Sequence, residues 1–319
     1  MKQTLLLMSL LCFMTACKEE PEERDYRQDM RDFVLALRTY VDGVQPNFLL
    51  IPQNGDELLT IGDGYDTPPA EAYLIAIDGQ GREDLLYGYN TDNKPTPEDD
   101  ARYMQEHLAV AEDYGVEVLV TDYCWNENYM ANSYLENEEW GFISFAAPSR
   151  ELDVIPEYPA VPHNENSNDM ITLGDAQNFL YLLDPVQYKN RTAYLEALDA
   201  TAYDVFIIDA FYDEQILSAE EVAALQTKPN GARRLVIAYM SIGEAEDYRY
   251  YWQEGWKPGN PKFIERENPD WEGNYKVRYW DPEWQAVIFG RSDAYLNRIL
   301  DSGFDGAYLD IIDAYEYFE

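Results

Sequence analysis

Short apolar runs in this chain repeatedly stop at an acid or an amide: Asn54, Asp78, Asp122, Asp184, Asp209, Glu244 and the stretch from Asp310 to Asp313. Tyr123, Tyr239 and Trp280 stand close to them in the chain. Carboxylates gathered beside aromatic faces can cleave a glycosidic bond: one acid protonates the leaving oxygen, a second carboxylate attacks or activates water, and the rings stack on sugar. Taken singly, each has a plainer explanation, because Asp and Asn also cap helices and open turns. Their recurrence at the ends of successive runs carries the argument. The same oxygens suit calcium or magnesium, but no DxDxDG loop is present and the acids lie on different segments, so neither a metal nor another cofactor is expected. Two histidines, His107 and His163, leave little for a His-rich zinc site or a Ser-His-Asp triad.

Charge narrows the partners. With 61 acidic against 23 basic side chains the net charge is −38, which repels phosphate backbones and anionic lipid surfaces. Nucleic-acid binding is excluded on that ground. A hydrophobic content of 46% over 319 residues is ample for a large core.

The elements that must position these acids read as βα units. Eight candidate strands lie at 48–54, 72–78, 117–123, 141–147, 178–184, 205–210, 235–243 and 306–313. Helical faces fall between them: Met30, Phe33, Val34, Leu37 and Val41 before Gly43; Ala101, Met104, Leu108 and Ala111 before Gly115; and Trp284, Val287, Ile288, Tyr295 and Ile299 before Gly303. Another helix starts at Ser218, with Glu221 as its capping-box partner. Eight strands with interleaved helices predict an α/β fold, a (β/α)8 TIM barrel over 26–319, whose chemistry sits at the C-terminal strand ends. Residues 154–176, rich in Pro and Asn and without a period, read as a linker; cutting the chain there would leave four strands on each side, too few to close a barrel.

The first residues, MKQTLLLMSLLCFMTAC, combine Lys2, an apolar run too short to span a bilayer, and small residues before a cysteine. Met14-Thr15-Ala16-Cys17 is similar to a bacterial lipobox, so 1–16 is expected to be a lipoprotein signal peptide, Cys17 the lipidation site and 17–25 an acidic tether. This places the protein in the bacterial cell envelope, lipid-anchored at the outer membrane and touching the membrane only through that anchor. Cys124 is then the single free thiol.

Three stretches carry a family resemblance: IAYMSIGEAEDYRYYW at 237–252, ENPDWEGNYKVRYWDPEW at 267–284 and GFDGAYLDIIDAYEYF at 303–318. They resemble glycoside hydrolase family 114, whose namesake activity is endo-α-1,4-polygalactosaminidase, and in particular its bacterial branch often labelled cysteinyl-tRNA-synthetase-related, although no synthetase nucleotide signature is present. Members of that branch continue beyond the DIIDAYEY strand with segments that this chain carries at its beginning: PNFLLIPQNGDELL at 46–59, IDGQGREDLLYG at 77–88, VLVTDY at 118–123 and GFISFAAPSRELD at 141–153. The resemblance therefore implies a circular permutation, with family strands five to eight preceding strands one to four and 154–176 joining the old termini.

Carried over by motif, the catalytic pair is Asp310 and Glu83, with Asp310 as nucleophile or charge stabiliser and Glu83, in a loop beyond the strand end at Asp78, as general acid. Asp209, Tyr239, Glu244, Asp313, Asn54, Asp122 and Tyr279 are expected to bind substrate, Trp280 to add stacking surface, and Arg249 to counter the acidic cluster structurally. The implied substrate is a polysaccharide, with α-1,4-linked galactosamine polymers as the named candidate. The alternative of another class is a catalytically idle sugar-binding lipoprotein on the same barrel.

Overall fold

The computed structural model describes residues 24–62 and 64–319. The leader, Cys17 and most of the tether lie outside the described residues.

Eight parallel strands form the centre: β1 (Leu49–Pro52), β2 (Gly79–Glu83), β3 (Glu117–Tyr123), β4 (Ile143–Ala147), β5 (Phe179–Leu182), β6 (Val205–Asp209), β7 (Leu235–Ser241) and β8 (Gly306–Asp310). Two ladders run β1-β8-β7-β6-β5 and β2-β3-β4. On one side a parallel bridge between Gln53 and Gly81 joins β1 to β2. On the other, β4 meets β5 through the rings of Phe145 and Phe179, centroids 5.6 Å apart. The arrangement is a barrel-like α/β fold in which β1, near the start of the chain, pairs with β8 at its end, Leu50 opposite Ala307. All seven residues of β7 are buried, as expected for a parallel strand covered on both faces.

Helix α1 (Tyr26–Val44) buries the stripe read from the sequence: Met30, Phe33, Val34, Leu37 and Val41 are fully inaccessible. Asp25 caps it, accepting from the Gln28 N–H at 2.9 Å. Helices α2 (Glu71–Ala76), α3 (Glu98–Asp113), α4 (Glu127–Glu139), α5 (Arg191–Asp199) and α6 (Ala219–Leu225) follow, the last opened by the Ser218–Glu221 capping box. None of the described helices is long and apolar enough to cross a membrane.

Three expectations about elements are corrected. Residues 72–78 are not a strand: Tyr73, Leu74 and Ile77 are buried while Ile75 is 78% exposed, which is helical spacing, and α2 covers most of the segment. The strand itself is β2, GQGRE, which starts after Asp78 and ends at Glu83. The face from Trp284 to Ile299 is two helices, α7 (Pro282–Ile288) and α8 (Tyr295–Asp301). Finally, 306–313 leaves the sheet at Asp310, and a 3-10 helix spans Ile312–Tyr317.

An antiparallel sheet of Glu244–Glu246, Asn274–Val277 and Ile264–Glu267 follows directly from β7 and stands over the C-terminal strand ends. At the opposite end, 154–176 is irregular apart from a short 3-10 turn at Leu173–Asp175, and Asn166 donates to Asp204 at 2.7 Å. Lys228 pairs with that same Asp204, both side chains fully buried.

Candidate active site

Strands β1, β2, β6 and β8 end around one cavity of about 550 Å³, with Asn54, Glu83, Asp209, Asp310 and Asp313 in its wall. Three of these are strand-end carboxylates, of which Glu83 and Asp310 face the cavity from different sides of β1. Glu83 closes β2, where its backbone N–H donates to Asn54 Oδ1 at 3.1 Å and its Oε2 accepts from Asn54 Nδ2 at 3.0 Å. Asn54 makes this clamp from a left-handed conformation, φ 63°, which Asn tolerates better than most residues. The Tyr123 hydroxyl donates a short hydrogen bond to Glu83 Oε1. Glu83 thus accepts two side-chain hydrogen bonds, one on each oxygen.

Asp310 closes β8 and accepts from the Tyr239 hydroxyl at 2.6 Å. Burial, then the neighbouring charge of Glu83, push its carboxyl up to about 7, against a smaller opposing effect of the Tyr239 hydrogen bond. The next residue, Ile311, has φ 57°, a conformation that a β-branched side chain adopts only under constraint. Gly243 permits it: a Cβ there would stand 2.1 Å from the Ile311 carbonyl oxygen. Asp313 follows on the 3-10 helix and is raised to about 8, by burial first and the charge of Asp310 second.

Both guanidiniums in the wall are engaged. Arg249 bridges Asp209, at 2.8 Å, and the buried Glu246, at 2.7 Å, as the countercharge expected of it. Arg150 holds Asp84 and Asp92, each at 2.7 Å, and lies 3.9 Å over the Tyr123 ring. Burial lifts Asp84 to about 6 despite that partner.

Six of the sequence-derived candidates sit elsewhere or act differently. Asp122 points away from the cavity toward α4, accepting from the Leu86 and Tyr87 N–H groups, Ser133 and Asn137. Glu244, the first residue of the antiparallel sheet, is fully buried, taking hydrogen bonds from Asn268 at 2.9 Å and Tyr317 at 3.0 Å. Tyr279 is buried with its hydroxyl on the Tyr26 carbonyl at 2.7 Å, and Trp280 packs against Tyr26 and Phe318. Asp78 stands before β2, at the far end from the cavity, bonded to the Leu50 N–H and Arg38. Tyr239 lines the cavity, though its hydroxyl is committed to Asp310.

Residues not singled out from sequence complete the wall: Gln53, Arg150, Glu151, Tyr181, Glu246, Tyr248, Trp271 and Asn274. Trp271 and Asn274 lie within the ENPDWEGN segment, and an exposed Trp bracketed by turn formers was the available signal for them. Among the described residues no cluster of three or more His, Cys, Asp and Glu is arranged to hold a metal ion.

Uncharacterized proteins of three organisms are similar to part of this chain. One from Deinococcus radiodurans is 42% identical over 122 residues, which is 38% of this chain and 37% of its own length. One from Methanocaldococcus jannaschii is 38% identical over 155 residues, covering 48% and 42%. A third, from Thermotoga maritima, is 37% identical over 146 residues, covering 44% and 40%. The chain therefore spans about two fifths of the length of these relatives. The family model described as glycoside-hydrolase family GH114 matches residues 162–319, the half that carries β5 to β8, Asp209, Tyr239, Asp310 and Asp313. Through that half the chain belongs to glycoside-hydrolase family GH114.

Proposed function

We propose that this protein hydrolyses glycosidic bonds of a polysaccharide with Asp310 and Glu83 as its catalytic pair. The observation that carries the reading is the two carboxylates on one cavity in unlike environments, Asp310 pushed up to about 7 and Glu83 held by hydrogen bonds from Asn54 and Tyr123. A carboxyl that keeps its proton beside a second carboxylate lets the two divide acid and base work. The division favoured here reverses the one read from sequence: Asp310, protonated near neutral pH, gives its proton to the leaving oxygen, and the Glu83 carboxylate attacks the anomeric carbon or activates water.

An amino-sugar polymer such as α-1,4-linked galactosamine fits the charge of the wall. It holds seven carboxylates against two guanidiniums, and both guanidiniums are already paired with acids. Protonated amines on the sugar would find carboxylates such as Glu151 and Asp184, neither in an ion pair among the described residues, along it. The fold belonging to this proposal is a closed (β/α)8 barrel in permuted order, supported by the parallel pairing of β1 with β8.

Purified full chain is assayed against a panel of polysaccharides that includes α-1,4-galactosamine polymer. Asp310→Asn and Glu83→Gln are each expected to lower turnover by about 10²-fold or more. Near wild-type hydrolysis by either variant removes that residue from the pair. Absence of cleavage by the wild type across the panel leaves the sugar-binding barrel as the better reading.

A further inference from the structure

The aromatic surface expected from sequence to stack on sugar is spent elsewhere. Tyr239 is bonded to Asp310, Tyr279 is buried and Trp280 packs under Phe318. Of the seven tryptophans, Trp271 is the one in the cavity wall, and it is 50% exposed. Its ring stacks on no other aromatic among the described residues, whereas Trp252, Trp256 and Trp284 all do. Trp125 and Trp140 are exposed to a similar degree but stand outside the cavity wall, so it is the position of Trp271 that offers an indole face to a ligand entering the cavity.

The loop that carries it is held still. Trp271 sits at the tip between strands Ile264–Glu267 and Asn274–Val277. Its carbonyl accepts from the Asn274 N–H at 3.2 Å, and the Asn268 N–H bonds back to the Asn274 carbonyl at 2.7 Å. Asn268 also donates to the buried Glu244, which fastens the tip to the Tyr317 hydroxyl beneath it. A sugar ring has one face lined by C–H groups, the complement of a fixed indole plane, while its hydroxyls and amines remain free for carboxylates.

We propose that Trp271 is a sugar-stacking platform at the mouth of the cavity, binding a ring of the chain next to the pair Asp310 and Glu83. The proposal rests on the glycosidase reading for its ligand class and adds a binding position to it. Glu244, expected from sequence to touch substrate, acts here as the anchor that keeps the platform in place.

The test uses the full chain with an α-1,4-galactosamine hexamer and its N-acetylated form, by calorimetry for binding and by reducing-end assay for cleavage. Trp271→Ala is expected to weaken binding, and to raise KM, by about tenfold or more with kcat changed less than about twofold. Trp271→Phe should restore most of the affinity, because a smaller ring still stacks. Trp125→Ala, at a tryptophan 57% exposed but outside the cavity wall, should bind as the wild type does. Unchanged affinity in Trp271→Ala overturns the platform even if the wild type cleaves. Weakened affinity without any cleavage by the wild type sustains the platform and defeats the glycosidase reading. If the wild type binds neither hexamer, the platform is overturned.

Discussion

Asp310 illustrates how a site sets chemistry against stability. Its carboxyl ordinarily ionises at 3.8, and burial with the charge of Glu83 lifts it to about 7. Between those values the folded protein keeps a proton that the unfolded chain has released, so stability falls as pH rises from about 4 to about 7 and then levels. As a proton donor the group is competent only below its own ionisation, so turnover is expected to fall by about tenfold per pH unit once pH exceeds about 7. Asp310→Asn abolishes that donor and the buried charge together. The variant should therefore melt a few degrees higher than the wild type at pH 8, while at pH 4 the two should coincide. Thermal scans at both values check this, and equal melting temperatures at pH 8 would show that the charged carboxylate costs the fold nothing. Asp313 moves with it: neutralising Asp310 removes the second cause of its own elevation and should bring it below about 8.

At the scale of elements, β2 is the strand that composition hid. GQGRE holds no branched or aromatic residue, because its interior position is filled from across the barrel. The Tyr308 ring of β8 occupies that space, and a Cβ on Gly81 would stand 2.0 Å from its hydroxyl oxygen. Gly81→Ala is expected to destabilise by about 1–3 kcal/mol, the range for overpacking a filled core. The Tyr308 hydroxyl itself has no hydrogen-bond partner among the described residues although it is buried, so Tyr308→Phe should be neutral or stabilising in urea unfolding. A loss of more than about 1 kcal/mol in Tyr308→Phe would reveal an unseen partner such as water. Where side chains alone decide an element, the sequence is legible: α1 shows its stripe and α6 its Ser218–Glu221 box. The neighbouring segment 72–78 misleads because a one-turn helix and a short strand can share the same apolar residues.

The whole molecule closes on itself near its described ends. Arg27 pairs with Glu319 at 3.0 Å, and the Tyr26 carbonyl takes the Tyr279 hydroxyl. If the order is a permutation, joining residue 319 to 25 through a short Gly/Ser linker and opening the chain between 158 and 166 should give a protein that folds with a melting temperature within a few degrees. A rearranged chain that is insoluble or molten would count against the proposed order. Outside the described residues, the lipobox-like Met14–Cys17 leads us to expect that Cys17→Ser releases the protein from the membrane fraction. Wild-type protein found soluble with an unmodified Cys17 would end the anchor reading.

Sequence alone determined most of the alternation of strands and helices, and the family, because these rest on local pattern: apolar runs, capping residues, and unbroken motifs such as GAYLDIID. It also indicated Asp310 and Asp209, whose positions follow from where their strands stop. Which acids share a cavity was decided by the tertiary structure. Asp122 and Glu83 both lie at the ends of adjacent parallel strands, yet one faces α4 and the other the cavity. Successive side chains on a strand alternate faces, so a shift of one residue exchanges wall for exterior, and nothing local reports it. Protonation was likewise a tertiary matter: what lifts Asp310 is the loss of water and the charge of Glu83, two groups 227 positions apart in the chain.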